Sequence, residues 1–386
     1  MIQKTDGLRE ASVSHSVRAA VVQCDNLKTE RLEIMKRFFY NGIRVLVLDG
    51  SGRQIPTILR QLHDLGCIIT TLNSSKLDVG YTSRYPNRRL IVPEAKHNIT
   101  VLESVLDREI FSGNYDVVFP MLEPSTELCL KKSEYRKYVR IIAAPKDAFE
   151  IAFDKQKTMM ACMDNGIPCP VTKRDDEALE EFISKLGYPL AIKPRKGTGS
   201  IGFHCVHSEQ ELWQLLSSGI RLEDSVLQEY IPQTDTQYIG IFMLDAQQQL
   251  KSAVICDKPR WYPLDGGAAS YVRTLDRPEL VEQGYRLLKA IGWKGEAHLD
   301  YIGDPRENGK AKIMEINGRI PASVKICWCA GIPLVEQELD YTFGYPVEDW
   351  TGKEKKGYGL RYLQTDCLWF LQSPNRFRSN PSWFDF

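Results

Sequence analysis

A parallel α/β sheet running into an α+β body built from hairpins is the fold class this 386-residue chain predicts. Three observations carry it. Ile43 to Leu48 is an apolar run of β-formers ending at Asp49-Gly50-Ser51-Gly52, and Ile55 to Leu65 then has helical periodicity. Cys67 to Leu72 and Tyr115 to Pro120 read as further strands, and strand, glycine turn, helix, strand is the order of a parallel sheet. Beyond residue 187 the pattern changes to pairs of short strands joined by glycine-rich or polar turns, the signature of hairpins.

Taken in order, the chain opens with a polar extension to about Leu27 and a predicted helix over Thr29 to Tyr40. The turn Asp49 to Gly52 reads as a phosphate cradle or as a plain strand-to-helix turn. Pro120 to Glu127 lies at the carboxyl end of a predicted parallel strand, where α/β sheets bind ligands, and Ser125 is also placed to cap the next helix. A helix then runs from Phe153 through Met160, stops near Asn165-Gly166 and gives way to Pro168-Cys169-Pro170. Lys155 at its start opposes the helix dipole, which favours cations at the other end. That makes Lys155 a candidate anion ligand, the alternative being a surface charge.

Tyr188 to Ile192 and Phe203 to Val206 flank Lys193-Pro194-Arg195-Lys196-Gly197-Thr198-Gly199-Ser200-Ile201-Gly202. The glycines match G-x-G-x-x-G, but a dinucleotide fingerprint needs a following helix, and no Gly-Lys-Ser/Thr closes a P-loop. What remains is an amide-rich flap with Lys193 at its base, suited to a polyphosphate, or an ordinary glycine hairpin. Gly295 to Ile302 and Ala311 to Arg319 form another predicted hairpin. Alternation places Glu315 and Asn317 on one face, Ile316 on the other, with Asp300 opposite. Two carboxylates and an amide oxygen make a hard-oxygen site that suits Mg²⁺ holding nucleotide phosphates; a solvated sheet face is the alternative. Between these hairpins, Lys258 to Ser270 carries Gly266-Gly267 followed by small residues, which implies close backbone approach, and Lys258 and Arg260 add positive charge. After Tyr345 the chain turns aromatic, reading as a closing strand and helix or as part of a binding surface.

Fifty Lys and Arg balance fifty Asp and Glu, so no electrostatic case exists for nucleic acid or an anionic membrane. No apolar run approaches the ~20 residues of a membrane span, and the N-terminus lacks the form of a secretory signal. A cytoplasmic location is expected. The ten cysteines contain no C-x-x-C pair and read as reduced thiols, while the six histidines have no ligand spacing, so no zinc site is expected.

In order along the chain, these segments resemble the ATP-grasp superfamily from about residue 42 to 345. The resemblance implies a Rossmann-like pre-ATP-grasp parallel sheet followed by a two-subdomain ATP-grasp fold. The expected division is 1–41, an extension and helix; 42–145, the pre-ATP-grasp domain; 146–226, the small subdomain with the glycine loop; 227–345, the catalytic subdomain with the metal site; and 346–386, a tail. It implies ATP and Mg²⁺ (or Mn²⁺) as cofactors. Lys155 and Lys193 are similar to the two phosphate lysines, Gly197, Thr198, Gly199, Ser200 and Gly202 to the mobile loop, and Gln228, Glu229, Tyr230 and Ile231 to the adenine hinge. Asp235 falls near the ribose position, Asp300, Glu315 and Asn317 match the metal ligands, and Arg319 the arginine that steadies an acyl-phosphate. Lys258 to Ser270 resembles the loop cradling the transferred phosphate, with Arg260 as a further catalytic candidate. The chain departs from the family where Pro232-Gln233-Thr234-Asp235 replaces Pro-Gly and a glutamate, and where Gly318 replaces the proline of Glu-x-Asn-Pro-Arg. The implied activity is ADP-forming ligation of a small-molecule carboxylate to an amine, with a homodimer left open as the assembly. Two alternatives stand: carbamoyl-phosphate-synthase-like chemistry on bicarbonate, and a non-catalytic ATP-binding module.

Overall fold

The structure is a computed structural model that describes residues 39–197, 201–232, 237–264 and 267–385. The predicted helix over Thr29 to Tyr40 lies outside these residues apart from its last two positions, which are helical.

Five parallel strands form the first sheet: β1 (Arg44–Val47), β2 (Ile68–Asn73), β3 (Arg88–Ile91), β4 (Val117–Phe119) and β5 (Arg140–Ile141), in the order β3-β2-β1-β4-β5. Because helices cover both faces, β1 is apolar and buried from Val45 to Val47. Val45 and Val47 pack with Ile55, Ile58 and Leu59 of the helix Ile55–Asp64 on one side. Leu46 and Leu48 meet Leu102 and Leu106 of the helix Ile99–Phe111 on the other. The turn after β1 is a structural junction. Asp49, at φ +56°, turns its carboxylate inward to accept from Met121 N, Leu122 N and Ser125 Oγ. Ser125 therefore does not cap the next helix, which begins at Glu123 with Leu122 at its N-cap position.

A second, three-stranded antiparallel sheet has the order β7-β6-β8, with β6 (Leu190–Pro194), β7 (His204–Val206) and β8 (Ser225–Glu229). The glycine segment thus joins two paired strands, as the sequence predicts. The third sheet holds six antiparallel strands in the order β13-β12-β9-β10-β11-β14. They are β9 (Gln237–Leu244), β10 (Leu250–Tyr262), β11 (Ala268–Leu275), β12 (Gly295–Asp304), β13 (Lys310–Asn317) and β14 (Gly359–Arg361).

The strand β8 pairs with β6 and so lies in the three-stranded sheet. After Tyr345 the chain forms a strand and a helix, one of the two readings its sequence offers: β14 pairs with β11, and the helix Leu363–Gln372 packs on β10 and β11.

Candidate active site

The helix Lys155–Asp164 starts where it does because Asp154 caps it, accepting from Gln156 N at 3.0 Å. Arg195, at the end of β6, pairs with the same carboxylate at 2.9 Å, and Lys155 N donates to Arg195 O. This junction fixes Lys155 beside the base of the glycine segment, where its Nζ donates to Gly197 O at 2.6 Å and lies 3.6 Å from Glu315. Lys193, two residues before Arg195, is buried at 8 % exposure. Burial pulls its ammonium down to about 8; Glu315 opposes that and Lys155 adds to it.

These residues line one side of a cavity of about 300 Å³ between the two antiparallel sheets. Gln228 and the stretch Glu229 to Ile231, from the strand beside Lys193, line it too, while Ile302 and Met314 face them from the six-stranded sheet. The Glu229 carboxylate is fully engaged, accepting from Lys312 at 2.9 Å, Arg306 at 2.8 Å and Val171 N at 2.9 Å. The Glu229 main-chain N–H is spent as well, donating to Val171 O at 2.8 Å. Gln228, which also lines this cavity, is different: its buried Oε1 has no partner among the described residues. A slot with apolar walls, an orphaned amide oxygen and two lysines fits a nucleotide, whose base is flat and whose phosphates are anionic.

Beyond Glu315 lies a second cavity of about 380 Å³, and Ile302, Met314 and Glu315 line both. Asp300 and Glu315 are register partners on β12 and β13, and Asn317 is the partner of His298. The Asp300 carboxylate accepts from Lys258 Nζ at 3.1 Å and Asn317 Nδ2 at 2.9 Å. Burial works against its charge, but Lys258 and Asn317 outweigh that and hold it at about 2. Among the described residues no cluster of three His, Cys, Asp or Glu side chains is placed to hold a metal. Two carboxylates plus an amide fit a hard cation that takes its remaining oxygens from phosphate and water, as Mg²⁺ does.

Arg319 ends this row. Its Nε sits 3.1 Å from Glu123, which opens a helix of the first domain, and its guanidinium reaches Asn317 Oδ1 at 3.5 Å. Gly318 beside it is required by packing: a Cβ there would lie 2.7 Å from the Phe149 ring. Gly202 is similarly constrained, at φ +75° with Pro194 Cγ 2.8 Å from an added Cβ.

Arg260 is not in the site, contrary to the sequence expectation. It is fully buried, donates to Asp366 at 2.8 Å and to Pro381 O at 3.0 Å, and stacks over Tyr271. It ties β10 to the C-terminal helix. Thr198, Gly199, Ser200 and Asp235 lie outside the described residues, as do Asp265 and Gly266. Sequence reasoning missed Glu123, Arg53 and His298. The last two line the second cavity; alternation along β12 from Asp300 is the signal that could have found His298, two residues earlier, whereas Arg53, in the turn before the helix Ile55–Asp64, carries no local signal.

Residues 152–323 match the family model of the ATP-grasp domain. Among curated proteins, the chain is 23% identical over 328 residues to the carbamoyl phosphate synthase large chain of Clavibacter sepedonicus, covering 78% of this chain and 28% of that one. The arginine-specific carbamoyl phosphate synthase large chain of Geobacillus stearothermophilus is 22% identical over 267 residues, 67% of this chain and 25% of that protein. The chain thus spans little more than a quarter of the length of these relatives. Among solved structures, a biotin carboxylase from Campylobacter jejuni superposes with a TM-score of 0.67 at 18% identity, covering 82% of this chain and 74% of that one. An L-amino acid ligase from Bacillus licheniformis gives 0.60 at 19%, covering 78% and 74%.

Proposed function

We propose, from the ATP-grasp domain that residues 152–323 form, that this chain is a ligase which activates a small carboxylate with ATP and passes the acyl group to an amine. One observation carries the reading. Glu315, Ile302 and Met314 form a shared wall between the two cavities, so phosphates entering from the first meet a substrate held in the second.

Carboxylate oxygen is a poor leaving group. Transfer of the terminal phosphoryl group of ATP to it gives an acyl-phosphate and ADP, and attack by an amine then gives the amide and phosphate. Catalysis of such a step is mostly positioning and charge neutralisation. Lys155 and Lys193 would bind the phosphates of the nucleotide, while Gln228 and the main chain of Glu229 to Ile231 would bind the base. Asp300, Glu315 and Asn317 would hold Mg²⁺, which supplies charge neutralisation at the phosphates when bound. Arg319, steadied by Glu123, would neutralise the acyl-phosphate. Gly197 and Gly202, both at positive φ, bound a loop suited to fold over the phosphates and exclude water.

A second reading takes bicarbonate as the carboxylate, and the likeness to carbamoyl phosphate synthase favours it. ADP release measured with MgATP against bicarbonate and a panel of carboxylate and amine pairs tests both. Release that requires an organic carboxylate supports the first; release with bicarbonate alone supports the second. Nucleotide binding without turnover on any member of the panel would reduce the chain to a binding module.

A further inference from the structure

The β12 face that carries Asp300 also carries His298, two residues earlier and opposite Asn317. Its ring is buried at 9 % exposure, lines the second cavity, and has neither nitrogen bonded to any described residue. An imidazole offers one N–H and one lone pair, and leaving both unmade in a buried position costs free energy. The machinery derived above has no use for it: phosphate binding falls to the lysines, metal binding to oxygen ligands.

The surroundings indicate what it meets. Lys258, Arg319 and Arg53 line the same cavity, so an anion is drawn there. Lys258 is committed to Asp300 and Arg319 to Glu123, whereas Arg53 donates to Ala269 O and lies over the Tyr362 ring. A carboxyl oxygen that reached the His298 ring would accept the hydrogen bond that the protein leaves unmade there.

We propose that His298 is a specificity-determining residue of the acyl subsite, its ring N–H donating to a carboxyl oxygen of the substrate and to the same oxygen in the acyl-phosphate. This rests on the ligase reading above. It assigns the substrate class as a small carboxylate presented edge-on to the imidazole.

The probe is acetyl phosphate, used in reverse: a terminal oxygen of MgADP attacks its phosphorus, the acyl P–O bond breaks, acetate leaves with the electron pair, and ATP forms. His298→Leu removes both nitrogens, and His298→Asn restores an N–H. We expect the KM for acetyl phosphate to rise about tenfold or more in the leucine variant, as loss of a charge-assisted hydrogen bond requires. The asparagine variant should recover to within about threefold, and ADP affinity should be unchanged in both. In parallel, ¹⁵N-histidine spectra of the whole chain, simplified by its six histidines, should show the His298 ring signals moving when acetyl phosphate is added to the MgADP complex. If ATP forms but the leucine variant keeps its KM, His298 is refuted and the ligase reading stands. If no ATP forms while the ring signals move, the ligase chemistry falls and the carboxyl subsite stands. Unmoved ring signals with unaltered kinetics overturn the proposal.

Discussion

Replacing Lys193 by methionine separates what a buried charge does for the fold from what it does for a ligand. The change keeps the aliphatic stem and deletes the ammonium. Burial holds the folded-state value at about 8 against an ordinary 10.5; at about 1.4 kcal/mol per pH unit, that gap is roughly 3 kcal/mol. The sign follows from proton counting. Between pH 8 and 10.5 the unfolded chain binds more protons at this site than the folded chain, so wild-type stability rises with pH across that window. Below pH 8 the full cost of the charge persists. Lys193→Met should therefore raise the melting temperature of the ligand-free protein at pH 7, and the gain should fade toward pH 10. Nucleotide binding moves the other way. A charge-assisted hydrogen bond to phosphate is worth about 1.5–3 kcal/mol, so affinity for MgADP should fall by about tenfold to a hundredfold. Wild-type affinity should also weaken as pH climbs past 8, by up to about tenfold per unit, because only the protonated lysine binds phosphate; the variant should be flat there. Scanning calorimetry and isothermal titration from pH 6.5 to 9.5 measure both. A variant that is less stable and binds MgADP as the wild type does would refute the assignment.

Three further perturbations test other parts of the site. Glu315→Gln removes one charge from the proposed cation site with little change in volume, so the Mg²⁺ dependence of nucleotide binding should collapse while circular dichroism stays native; unchanged turnover would sink the metal role. Arg319→Lys loses the two-pronged donor that suits phosphate oxygens, so turnover should fall by at least about tenfold with MgADP affinity within about threefold. If binding collapses instead, the arginine serves the nucleotide or the interface with Glu123. Gly318→Ala forces a methyl to within 2.7 Å of Phe149 and should cost about 1–3 kcal/mol in chemical denaturation; adding Phe149→Leu should recover most of it, and a neutral single variant would show that the helix Lys146–Phe153, which carries Phe149, yields.

Much of this site is legible in the sequence because its chemistry is local. Lys193 stands out between two strands and a run of glycines, and Asp300, Glu315 and Asn317 by alternation on two strands joined by a turn. What the sequence hides depends on contacts distant along the chain. Arg260 reads as a phosphate ligand because a lysine and two glycines flank it, yet its partner Asp366 stands 106 positions away. Glu123 meets Arg319 only because the first domain packs against the end of β13. Met314 misleads for another reason. Simple alternation would send it to the core with Ile316, but the ladder is irregular between Asp300 and Tyr301, and Met314 lines both cavities while Ile313 and Ile316 are buried.

That irregularity makes the hairpin's chemistry a question of odd and even. On a regular ladder every residue's face is set by counting from any other, so one inserted or lost residue exchanges inside for outside along the rest of the strand. Here the bulge resets the count once, between Ile313 and Glu315, and the reset lets the half of β13 from Lys310 to Ile313 and its chemical half at Glu315 and Asn317 each satisfy their own surroundings. Length changes in the turn Pro305–Glu307 leave that count alone, whereas deletion of Glu315 would bring Ile316 to the proposed cation site and turn the Asn317 amide toward the core. Natural variation in length along this hairpin should therefore gather at the turn and stop at the bulge.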